Sequence, residues 1–74
     1  MNKNFSSREI IRVLERFGFL LVSQKGSHVK FKKPILGVTK VVIVPHPRKD
    51  IPYGTFRSIL RQAGISEESF LKKV

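Results

Sequence analysis

Seventy-four residues without a cysteine set tight limits. One small domain is expected, with a core contributing only ~3–5 kcal/mol net and no disulfide, thiolate chemistry or cysteine-based zinc site. Fifteen Lys and Arg against five acids give a net charge of +10 and a pI near 10.8. Such a field attracts polyanions: nucleic acid first, an acidic protein second, an anionic membrane surface third. The longest uncharged apolar run, FGFLLV (17–22), is far below the ~20 residues that span a bilayer. The opening MNKNFSSREI lacks the apolar segment of a signal peptide. A cytoplasmic protein with no membrane partner is the expectation.

FSSREIIRVLERFG (5–18) reads as a helix marked at both ends. Ser6 and Glu9 make an S-x-x-E capping box, with Phe5 and Ile10 as its hydrophobic staple. Ile10, Val13, Leu14 and Phe17 recur at helical spacing, and Gly18 suits a left-handed stop. Arg8, Arg12 and Arg16 form a solvated stripe on the opposite side.

FLLVSQ (19–24) reads as a strand and Lys25-Gly26 as a turn. SHVKFKK (27–33) alternates with period two, so Val29 and Phe31 point one way and His28, Lys30 and Lys32 the other. A strict two-residue turn sets Ser23 opposite His28; a three-residue turn sets Val22 there. PILG (34–37) breaks the chain, and TKVVIV (39–44) is a third strand ended by Pro45. Residues 19–22 and 41–44 are apolar for both faces, which predicts an open apolar patch beside the basic row.

PHPRKDIP (45–52), with three prolines, is an irregular loop. A second helix begins between Pro52 and Thr55, buries Phe56, Ile59, Leu60 and Ala63, and ends at Gly64. Ser66 caps a short last helix, with Ile65 and Phe70 as its staple. The predicted class is therefore α+β: an α-β-β-β-α order with a three-stranded antiparallel sheet, the main helices on one face and a short C-terminal helix. This is also the element order of the double-stranded-RNA-binding fold, which alone does not give function.

His28 on an open basic face has two readings. It can be a surface histidine hydrogen-bonded to a neighbouring strand. It can also take a proton from a ribose 2′-hydroxyl, since an imidazole titrates near ~6.5; that oxygen attacks the adjacent phosphate, and nearby cations stabilise the charge that builds. His46 is either a turn residue or a second proton carrier or phosphate contact. The histidines and Asp50 lack metal-ligand spacing, Ser27 and His28 point to opposite faces, and no phosphate-binding Gly-rich loop is present. No metal or cofactor is expected.

Three stretches, in order, resemble the HicA (YcfA-like) family of bacterial and archaeal toxins. They are REIIRVLERFGF (8–19), QKGSHVKF (24–31) with its glycine-serine-histidine signature, and VPHPRKDIPYGTFRSILRQAGIS (44–66). Phe56 stands where leucine is more usual in that family. The resemblance implies a double-stranded-RNA-binding-domain-like fold and an mRNA-cleaving endonuclease whose essential histidine maps onto His28. It also implies a HicB-type antitoxin that covers this histidine. Lys25, Lys30 and Lys32 are the expected phosphate contacts. The competing readings are a non-catalytic RNA-binding module of the same fold and a protein adaptor that uses only the open sheet face.

Overall fold

The computed structural model describes residues 4–74. The order is α1 (Ser7–Arg16), β1 (Leu20–Lys25), β2 (His28–Ile35), β3 (Val38–Pro45), α2 (Tyr53–Ala63) and α3 (Glu67–Lys72). The strands form an antiparallel sheet in the order β1-β2-β3, so the expected α+β, double-stranded-RNA-binding-like architecture is the one observed.

The helix ends form as their residues dictate. Ser6 accepts from the Glu9 amide at 3.1 Å while Glu9 accepts from the Ser6 amide at 2.8 Å, closing the capping box. Gly18 and Gly64 take positive φ. The amides that follow bond back, Phe19 N–H to Leu14 O and Ile65 N–H to Leu60 O, each at 3.0 Å. Both major helices thus end in Schellman motifs.

The core lies between one sheet face and the helices. Val29 and Phe31 of β2 and Val42 and Val44 of β3 meet Ile10, Val13 and Leu14 of α1 and Phe56, Ile59 and Leu60 of α2. Phe17 is only half-buried at the edge of this cluster. Phe70 of α3 completes a ring cluster with Phe5 and Phe56, centroids 5.0–5.3 Å apart, so the aromatic at position 56 has specific partners.

Three features of the sheet differ from the sequence expectations. β2 runs on through Pro34 and Ile35, and the chain reverses at Leu36-Gly37 instead. Pro34 pairs with Thr39 in the central strand, a place proline normally avoids. The β1–β2 turn is Gly26-Ser27, with Lys25 opposite His28 and Ser23 opposite Lys30. Neither anticipated register occurs, because the turn needs its positive φ at the first loop residue and Gly26 supplies it. A bulge between Leu21 and Ser23 then shifts the pairing, so Leu21 opposes Phe31 and Leu20 opposes Lys32.

α1 and α2 pack over β3 and leave β1 as an uncovered edge. Phe19, expected to open that strand, lies just before it and is buried. Leu20, Leu21 and Val22 remain 69%, 59% and 47% exposed.

Candidate active site

His28 is the first residue of β2, held in place by the hairpin turn before it and by pairing on both sides. Lys25 of β1 and Pro45 of β3 are its direct cross-strand partners. Opposed residues in an antiparallel pair share a face, with Cα atoms ~4.5–5.5 Å apart. Lys25 therefore stands beside His28 on the face away from the helices. Lys30 and Lys32 continue that row at intervals of about 6.6–6.8 Å. All four side chains are exposed.

The surroundings of the row are free of acid and, apart from Ser23 opposite Lys30, apolar. Ile43 opposes Lys30, Val41 opposes Lys32, and both are partly exposed. Leu20 opposes Lys32 from the other side. The five acids lie in α1, in the loop after β3 and in α3, none on the sheet. The sheet face thus offers one imidazole, a line of ammonium groups and flat apolar side chains, a combination suited to a nucleic-acid strand. The sequence-predicted residues His28, Lys25, Lys30 and Lys32 are all brought together here.

The other two sheet lysines serve the fold. Lys33 faces the helices and donates to Phe17 O at the C-terminal end of α1, where a cation complements the helix dipole. The Lys40 ammonium lies against Gly64 at the end of α2. Ser27 sits in the turn, and its carbonyl accepts the His46 N–H at 2.8 Å.

His46 follows Pro45 and turns toward the helix side. Its Nδ1 lies 2.7 Å from the Oγ of buried Ser7. That hydroxyl also accepts the Arg48 N–H at 2.9 Å and has the Arg48 carbonyl 3.1 Å away. The Ser7 N–H donates to the same carbonyl at 2.9 Å. His46 therefore fixes the loop and, by strand alternation, does not share a face with His28. Sequence reading gave Ser7 no part beyond its place in the helix. Its place directly after a capping serine signals an N-terminal turn, but not a partner thirty-nine residues away. Nor did it anticipate the concavity of about 470 Å³ that Ser7, Arg8, His46, Pro47, Arg48 and Lys49 help to line. Among the described residues, no group of three His, Cys, Asp or Glu side chains is placed to hold a metal ion.

The family model described as the "HicA toxin of bacterial toxin-antitoxin" matches residues 7–65. The chain belongs to the HicA toxin family. The matched span runs from the first residue of α1 to just past α2 and contains the whole sheet, His28 included. As a HicA toxin it is one half of a toxin–antitoxin pair, so an antitoxin is an expected partner. No curated relative matches it significantly. No helix among the described residues is long and apolar enough to cross a membrane.

Proposed function

We propose that this HicA toxin is an endoribonuclease that cuts mRNA at the open sheet face by a histidine-dependent, metal-independent route. The observation that carries the reading is the position of His28, exposed on an acid-free face with Lys25 opposite and Lys30 and Lys32 in line.

The reaction needs little else. The ribose 2′-oxygen loses a proton and attacks the neighbouring phosphorus. The bond to the 5′-oxygen breaks, that oxygen gains a proton, and a 2′,3′-cyclic phosphate is left. In this reading His28 moves the proton, since an imidazole both accepts and donates. The ammonium groups of Lys25, Lys30 and Lys32 hold the backbone and offset the charge that builds on the phosphate oxygens. Val41, Ile43 and Leu20 give the bases an apolar surface.

Silencing of the toxin follows from the same face. A HicB-type antitoxin with an acidic surface covers His28 and the lysine row, matching charge to charge.

The test is incubation of the purified protein with RNA in the presence of a chelator, beside a His28→Ala control. Cleavage with cyclic-phosphate ends is expected from the wild type and not from the variant. Tight binding by both proteins without cleavage by either would make the chain a binding module instead. Cleavage that stops with chelator would refute the metal-free route.

A further inference from the structure

We propose that the concavity between α1 and the loop joining β3 to α2 is a second RNA-backbone site, holding a phosphate that flanks the one at His28. The proposal rests on the RNA-cleaving reading above and gives the substrate a path around the end of the sheet.

The concavity, about 470 Å³, is lined by the cations Arg8, Arg48 and Lys49 together with His46, Pro47 and the two serines Ser6 and Ser7. Among the described residues, none of these three cations forms a salt bridge with a carboxylate. Arginine presents a planar fork of donors that matches phosphate oxygens, which a lone surface lysine does not. The floor is held in place. Ser7, almost fully buried, bonds Arg48 through both its amide and its hydroxyl and holds His46 Nδ1. This leaves Nε2 as the remaining polar atom of the ring.

Position links the concavity to His28. Pro45 opposes His28 across the strands, and the next residue, His46, bonds the Ser27 carbonyl immediately before His28. Pro45 lies on the open face, and His46 turns to the helix side. A strand lying along the lysine row therefore leaves the open face over the end formed by Gly26-Ser27 and Pro45-His46, and its next phosphate meets Arg8, Arg48 and Lys49. Continuity with the His28 row favours a nucleic-acid backbone over an acidic peptide.

The test uses the full chain and a short 2′-O-methyl RNA, which has no free 2′-hydroxyl and stays intact. Arg8→Gln, Arg48→Gln and Lys49→Gln are combined, and a control removes equal charge as Arg12→Gln, Arg61→Gln and Lys72→Gln. The pocket variant should lose roughly tenfold or more in affinity. Its slope of log affinity against log salt should become shallower by about 1. The control should lose less, with its slope kept. On cleavable RNA the pocket variant should raise KM and keep kcat at saturation. Equal losses in both variants would reduce the pocket to part of a general field and overturn the proposal. So would a pocket variant that weakens only for a poly-glutamate peptide. Cleavage by the wild type with unchanged RNA binding by the pocket variant would remove the site and leave the nuclease reading. Pocket-dependent RNA binding without cleavage would do the reverse.

Discussion

At His28 a truncation removes chemistry and little packing. The side chain is exposed and touches no part of the core, so His28→Ala should change unfolding free energy by no more than ~0.5 kcal/mol. Cleavage should fall by ~10² or more, as for the loss of a general acid or base, with RNA binding retained; denaturant melts and gel-based cleavage rates check the two halves. Ser7 behaves oppositely. Ser7→Ala leaves the Arg48 N–H and His46 Nδ1 without their partner, at a cost of ~1–3 kcal/mol. A urea midpoint unchanged within error would show that the loop holds without this hydroxyl. His28 was legible because its neighbours alternate strictly, so its face followed from Val29 and Phe31. The Ser7–His46 bond was not legible, because a separation of thirty-nine residues leaves no local pattern that records it.

Among the elements, legibility followed periodicity. α1 carries a capping box, α1 and α2 both carry apolar spacing and a glycine just past the end, and apart from half-buried Phe17 their cores and ends are where those signals put them. β1 has no such pattern. Residues 19–22 are all apolar, so period-two alternation could not set the register, and one extra residue in the bulge moves Leu21 and Leu20 to the opposite faces. Pro34 misled for a related reason: it breaks most strands, yet here it is accommodated within one. α3 makes a prediction of its own. Its Glu67 accepts from the Tyr53 hydroxyl at 2.8 Å and pairs with Arg57 at 3.2 Å. The bond to the Glu67 carboxylate raises the Tyr53 pKa above its ordinary 10.0. The protonated phenol is the favoured form in the fold, so the contribution holds below the unfolded value and is lost as pH rises through the raised one. Tyr53 is the only tyrosine and there is no tryptophan, so ultraviolet titration reads it alone. Glu67→Ala should bring its ionisation back toward the ordinary value, and an unmoved titration curve would show that the contact does not persist in water.

For the whole molecule, charge sets the terms of binding. A chain of net charge +10 should hold RNA by releasing counterions, with log affinity falling linearly and steeply against log salt. Lys30→Ala with Lys32→Ala should weaken all RNA sequences alike and flatten that slope while scarcely moving stability; a sequence-dependent loss would mean these side chains read bases. An antitoxin complex should protect the amides around His28 from hydrogen exchange, and full inhibition with His28 still open would require a mechanism other than occlusion. The uncovered β1 edge carries a different consequence, one for the toxin when it is alone. Three exposed apolar residues beside an unpaired row of backbone groups form a template on which further strands can grow. The bulge at Val22 breaks the even spacing of those groups, and Lys25 places a cation at the end of the strand. An irregular ladder and a terminal charge both disfavour the addition of further strands. Deleting Val22 and replacing Lys25 with Val should therefore shorten the lag before light scattering rises in concentrated antitoxin-free protein, and an unchanged lag would show that the edge is guarded by something else.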